Sequence, residues 1–190
     1  VIYVAKKKRL LDLPNSRKKH VKPIPRLGGI TFMPVLLIVT LFSIFIRSKL
    51  NLWDSLLLDS LSELLLFTCG LFIIYMLGVY DDLVSVNVKK KFLAQIFATF
   101  FIIGSGIYVK NLHGLFGIYE LSPVVGIPLS VLIIVFTTNA LNLIDGADGL
   151  ASGLSAIAFL FYGVIFSMNQ LWTYATMSFI ILGILLPFFY

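Results

Sequence analysis

Asp81 and Asp82 stand side by side at the end of a long apolar run, and a second polar series, Asn139, Asn142, Asp145 and Asp148, repeats every three residues. On helical backbone, residues three apart form one drifting stripe. Gly146 and Gly149 in the same stretch permit a tight turn and close approach of backbone to a ligand. A third cluster, Lys6–Arg26, carries nine basic residues (Lys6, Lys7, Lys8, Arg9, Arg17, Lys18, Lys19, Lys22 and Arg26) against one acid, Asp12. Adjacent carboxylates repel, and a helix C-terminus is the wrong end for anions. The pair at 81–82 therefore needs positive compensation, either from Lys89, Lys90 and Lys91 or from a divalent cation held by oxygen ligands.

Each cluster has a plainer reading. Boundary carboxylates can be solvated, Asp148-Gly149 is ordinary turn chemistry, and a basic loop can serve only topology or contact with anionic lipid. None of these explains two asparagines inside an apolar run, where polar groups are costly. His20, with basic neighbours, suits hydrogen bonding to phosphate better than metal ligation or base catalysis. A purely anionic ligand would be repelled by Asp81, Asp82, Asp145 and Asp148, and a purely cationic one would leave the basic loop without purpose. A magnesium-bound phosphate or diphosphate satisfies both, because Mg²⁺ takes one or two carboxylates and completes its shell with substrate oxygens and water. A phosphate-monoester nucleophile has a second pKa of about 6 and is largely ionised at neutral pH. Its reaction then depends on positioning and charge neutralisation more than on a strong base.

The elements that position these residues follow from composition. Of 190 residues, 59% are hydrophobic and 13% charged, with a mean hydropathy of +0.99. A soluble domain of this size cannot hide so much apolar surface. A bilayer core of ~30 Å is crossed by ~20 apolar residues in a helix. Six such spans are expected, at 27–46, 61–80, 92–109, 125–143, 150–168 and 171–190. Hydrocarbon offers no partner for open backbone groups, and barrel-type alternation is absent, so the expected fold is an all-α, polytopic membrane helix bundle forming one domain over 1–190. Residues 1–5 read as the last turn of a helix begun earlier, and Phe188-Phe189-Tyr190 still lies in an apolar run; the chain is expected to be part of a longer membrane protein.

Short loops rich in Lys and Arg stay in the cytoplasm. Counting spans from Lys6–Arg26 puts 81–91 and 144–149 on that same side, with twelve of the fifteen basic residues; Arg47, Lys49 and Lys110 fall outside. The net charge of +6 is thus explained by topology and lipid or phosphate contact, and no nucleic-acid partner is expected. On the outer side, Asn51–Glu63 reads as an interfacial amphipathic helix followed by a capping box, Ser60-x-x-Glu63, and the loop at 113–123 shows no evident chemistry. Cys69, the single cysteine, reads as a small buried apolar residue. Gly28-Gly29 reads as a point where the following helix packs closely.

The pattern Asp12-x-Pro14-Asn15-x-Arg17-Lys18-x-His20 with Pro25-Arg26-x-Gly28-Gly29, then Asp81-Asp82, then Asn139-Ala-x-Asn-Leu-Ile-Asp-Gly-x-Asp-Gly-Leu150, resembles the polyprenyl-phosphate N-acetylhexosamine-1-phosphate transferases, glycosyltransferase family 4. The nearest resemblance is to the bacterial undecaprenyl-phosphate GlcNAc-1-phosphate transferase branch. The resemblance implies a multi-pass enzyme of the bacterial cytoplasmic (inner) membrane with ten or eleven spans and a cytoplasmic active site. It implies Mg²⁺ (with Mn²⁺ as a possible substitute), UDP-HexNAc and undecaprenyl phosphate as substrates, and UMP as product, at the start of cell-envelope glycan synthesis such as lipopolysaccharide or teichoic acid. Carried over by motif, Asp81 orients or deprotonates the lipid phosphate, Asp82 supports it or the metal, and Lys91 contacts phosphate. Asn142 touches metal or diphosphate. Asn139, Asp145, Asp148 and the Gly146–Ala147 backbone help seat the nucleotide sugar, and His20, Lys22 and Arg26 close over the phosphates. The family has a further Gly-Asp-x-Gly motif carrying a principal metal ligand and a basic, His-containing loop that selects the sugar. Neither occurs in this sequence, so the 190-residue chain alone is expected to be inactive. The competing expectation, from a different class, is an ion-coupled transporter, whose carboxylates would sit near the bilayer midplane rather than at helix ends.

Overall fold

A computed structural model describes residues 11–12, 24–25, 27–50, 61–84, 86–144 and 149–189. Six α-helices dominate them: α1 Phe32–Lys49, α2 Leu61–Val84, α3 Val88–Gly104, α4 Pro123–Ile144, α5 Leu150–Met168 and α6 Trp172–Leu185. One strand pair occurs among the described residues, β1 Leu11–Asp12 antiparallel to β2 Ile24–Pro25, with Leu11 opposite Pro25 and Asp12 opposite Ile24. The fold is an all-α membrane bundle. Among the described residues, four stretches are long and apolar enough to cross a bilayer: Gly29–Lys49, Leu61–Val84, Pro123–Ile144 and Leu150–Met168.

The other two helices are shorter than the expected spans. Helix α3 starts at Val88, not 92, because Asn87 caps it: the Asn87 Oδ1 accepts the Lys89 N–H at 3.1 Å. It ends at Gly104, where the chain turns through Ser105 and Gly106 at φ +82°. Helix α6 ends at Leu185 and gives way to a 3-10 turn over Leu186–Phe189. Pro187 within that turn has no N–H to continue the α-helical ladder.

Small and weakly polar residues fill much of the interior, beside the larger Met33, Leu36, Ile102, Met177 and Leu185. Ala98, Ala156, Ala175, Thr99, Ser105, Ser130 and Ser178 are buried, while Phe42, Leu65, Phe100, Leu132, Phe136 and Phe161 face outward. This inverts a soluble core and matches helices that meet through small side chains in lipid. Three buried hydroxyls turn back onto their own helices: Thr99 donates to the Ile96 carbonyl at 2.6 Å, Ser130 to Gly126 at 2.7 Å and Ser178 to Tyr174 at 2.8 Å, whereas the buried Thr40 hydroxyl has no partner among the described residues. Such bonds satisfy hydroxyl groups where no water is present.

The chain divides into two compact units, Val1–Asp54 with Leu141–Tyr190, and Ser55–Ala140. In the first, α6 packs against both α1 and α5. A Cβ at Gly163 would come within 2.7 Å of the Phe179 ring, so the absence of a side chain there sets the α5–α6 approach. In the second, α2 and α3 form an antiparallel pair in which a Cβ at Gly70 would lie 2.6 Å from Ile102 Cγ1 and 3.0 Å from the Ala98 carbonyl. Helix α4 runs antiparallel to α3. Asn139 near its C-terminus bonds Gln95 near the start of α3, and Ser130 in its first half accepts the Val109 N–H just beyond α3 at 2.8 Å.

Two expectations are corrected. Cys69 is exposed on the outer surface of α2, not buried, because Gly70 beside it takes the face turned toward α3. Gly29 has open space where a Cβ would be, so close packing does not explain it. The expected amphipathic helix over 51–63 and its Ser60 cap lie mostly outside the described residues, which resume at Leu61.

Candidate active site

Within the unit Ser55–Ala140, the C-terminal end of α2, the N-terminal end of α3 and the C-terminal part of α4 come to one end. Asp81 lies in the last turn of α2. Its Oδ2 meets the Lys91 Nζ at 2.7 Å, and its Oδ1 accepts the Val86 N–H at 2.9 Å. The carboxylate is thereby held between an ammonium and a backbone amide, across the short link into α3. Of the two compensations open to Asp81, a neighbouring lysine or a cation, the lysine is present. Asp82, next along, is half-buried, and Lys89 and Lys90 are exposed.

Lys91 and Gln95 are four apart on α3 and so share a face. Gln95 is only 3% exposed. The Asn139 amide donates to the Gln95 Oε1 at 2.7 Å and to the Val135 carbonyl at 2.8 Å, while Gln95 returns a longer bond of 3.5 Å to the Asn139 Oδ1. Two polar contacts therefore lie one turn apart on α3, Asp81–Lys91 and Gln95–Asn139. Asn142 follows Asn139 by one turn on α4 and is exposed.

Gln95 was not among the residues singled out from the sequence. The signal was available: a lone amide inside the span expected at 92–109, by the same criterion that marked Asn139 and Asn142. Gly149, at φ +72°, precedes the first residue of α5, in the left-handed conformation that glycine adopts without strain. Its carbonyl accepts the Gly153 N–H at 2.9 Å and the Ser152 hydroxyl at 3.1 Å. His20, Lys22, Arg26, Asp145, Gly146 and Asp148 lie outside the described residues. Among the described residues, no three His, Cys, Asp or Glu side chains cluster to hold a metal.

An apolar helix bundle with large side chains outward and charged groups gathered at helix ends defines a multi-pass membrane protein. Residues 64–190 match the sequence pattern of Glycosyl transferase family 4, and the chain belongs to that family. It is 37% identical over 150 residues to a Bacillus subtilis (strain 168) protein named as a probable undecaprenyl-phosphate N-acetylglucosaminyl 1-phosphate transferase, covering 77% of this chain and 38% of that protein. It is 36% identical to the phospho-N-acetylmuramoyl-pentapeptide-transferase of Staphylococcus carnosus (strain TM300), covering 91% of this chain and 56% of the relative. With the undecaprenyl-phosphate alpha-N-acetylglucosaminyl 1-phosphate transferase of Escherichia coli (strain K12) the identity is 28%, over 97% of this chain and 47% of the relative. The chain thus spans about half the length of the curated relatives it matches. No solved structure matches it.

Proposed function

We propose that the complete protein carrying this chain transfers HexNAc-1-phosphate from a UDP-sugar to undecaprenyl phosphate at the cytoplasmic face of the bacterial inner membrane. In that reaction an oxygen of the lipid phosphate attacks the phosphorus that bears the sugar. The bond from that phosphorus to the bridging oxygen breaks, and UMP leaves with the bridging oxygen and its electron pair. The product is a lipid-diphosphate sugar that supplies cell-envelope glycan assembly.

The observation that carries the reading is the Asp81–Lys91 pair at one end of the unit Ser55–Ala140, in a chain of this family. A carboxylate and an ammonium held 2.7 Å apart suit a reaction in which one phosphate is the nucleophile and another the leaving group. Lys91 attracts phosphate oxygens, and Asp81 orients or deprotonates the incoming lipid phosphate. The anionic substrate reaches Asp81 beside a cation rather than against a bare negative charge.

Mg²⁺ is the proposed ion, because it takes few protein ligands and fills its shell with substrate oxygens and water. Asp81 is bonded to Lys91 and to the Val86 N–H, and Asp82 adjoins it in sequence as a second carboxylate. Asp82 and Asn142, both oxygen donors, are the proposed ligands in this chain, and the ion would neutralise diphosphate charge. Asn139, Asp145, Gly146 and Asp148 are proposed to seat the nucleotide sugar, with His20, Lys22 and Arg26 over the phosphates.

The test is transfer of radiolabelled sugar phosphate from UDP-GlcNAc to undecaprenyl phosphate in liposomes holding the complete protein, with UMP measured in parallel. Lipid-linked label and UMP in equal amounts are expected. Solute crossing the membrane with no UMP release would instead establish a transporter.

A further inference from the structure

We propose that Gln95 is a positioning residue for the transfer reaction: its amide ties α3 to α4 and thereby sets Lys91 and Asp81 in register with Asn139. The inference rests on the functional reading above. Three observations carry it. Gln95 is 3% exposed in a helix whose neighbouring buried positions, Ala98, Thr99 and Ile102, are small or apolar. A leucine or methionine would fill such a site without demanding a partner. The Asn139 amide nitrogen reaches Gln95 at 2.7 Å, a cross-helix bond between side chains 44 residues apart in sequence. Gln95 also lies one turn from Lys91, on the same face of α3, so a shift of α3 along α4 moves Lys91 with it.

Directional bonds do here what apolar packing cannot: the Gln95–Asn139 pair fixes the site end of α3 on α4, and the Val109–Ser130 bond lies beyond its far end. Helices that meet through small side chains can slide past one another with little loss of contact, whereas an amide pair is satisfied at a single register. Polar groups buried between helices are a known means of fixing register. Reacting groups displaced by about 1 Å lose on the order of 10²-fold in rate. Gln95 therefore acts through Lys91, Asp81 and Asn139 and needs no contact with substrate.

The experiment compares the complete protein with its Q95M, Q95N and T99V variants in liposomes, measuring kcat, KM for UDP-GlcNAc and melting temperature. Methionine keeps the volume and removes the amide. Asparagine keeps the amide and shortens its reach by one methylene. T99V removes a buried hydroxyl that bonds only within α3. For both Gln95 variants, kcat is expected to fall about 10-fold or more, with KM changed less than threefold and melting within a few degrees of wild type. T99V is expected to stay within about twofold of wild type, as surface-independent, intrahelical bonds fix no register. Wild-type kcat in Q95M, or losses in the Gln95 variants that only track lowered melting and are matched by T99V, would overturn the inference alone. A wild-type protein that releases no UMP would overturn the functional reading, and this inference with it.

Discussion

The Asp81 carboxylate and the Lys91 ammonium, ten residues apart in sequence, meet at 2.7 Å and close the link between α2 and α3. The pair is partly buried, with side-chain exposures of 25% for Asp81 and 19% for Lys91. It joins two helices at their link, and its placement suits phosphate chemistry. Lys91→Met and Asp81→Asn are expected to melt within a few degrees of wild type and to lose transfer by about 10²-fold or more. Activity assays beside melting curves decide this, and variants that stay active would show the pair to be a structural clasp only.

Asn87 caps α3 with its side chain, satisfying one of the amides a helix start leaves open. Asn87→Ala is expected to lower stability by about 1 kcal/mol, and Asn87→Ser or Asn87→Asp to lower it less. Thermal unfolding in detergent measures the difference.

Gly70 admits α3 against α2 because it has no side chain. Gly70→Leu is expected to force the two helices apart and cost about 1–3 kcal/mol, whereas Gly29→Leu, in open space, is expected to stay within about 0.5 kcal/mol. Equal effects at the two sites would refute the packing assignment.

Phe116 sits at φ +54° in the turn between α3 and α4, with 89% of its surface exposed. A non-glycine residue in this left-handed region is strained by about 1 kcal/mol. Phe116→Gly removes that strain and little packing, and is expected to leave stability unchanged or raise it by up to about 1 kcal/mol, read from the melting temperature.

Chelation by EDTA is expected to abolish transfer by the complete protein, and Mg²⁺ or Mn²⁺ to restore it. Transfer that persists after chelation would remove the metal from the proposed reaction.

Much of the helical layout was legible because hydrophobic runs of about 20 residues have one solution in lipid. The expected 150–168 is α5 to the residue, 125–143 falls within α4, and 61–80 starts where α2 starts. What the apolar runs could not show was where backbone bonding, not hydropathy, sets a boundary. Asn87 draws the start of α3 four residues earlier than expected, and the turn at Ser105–Gly106 ends it early although Ile107 to Val109 are mostly apolar. The sequence marked Asp81, Lys91 and Asn139 as chemical residues, and the structure shows them at one end of a unit. It did not reveal which lysine faces Asp81, since Lys89, Lys90 and Lys91 are alike in type and only helical phase separates them. Gln95 went unmarked because one amide barely alters the hydropathy of a span. Cys69 was assigned to the interior by residue type alone, whereas its outward position follows from the phase set by Gly70.

Only Asn169, Gln170 and Leu171 separate α5 from α6, and the turn is tightened by bonds from the Gln170 N–H to Ser167 and from the Leu171 N–H to Phe166, at 3.1 and 2.9 Å. So brief a connection leaves α6 little freedom to drift from α5, whose Gly163 seats the Phe179 ring. Lengthening the turn at Gln170 is expected to loosen this hairpin, read as a lowered melting temperature.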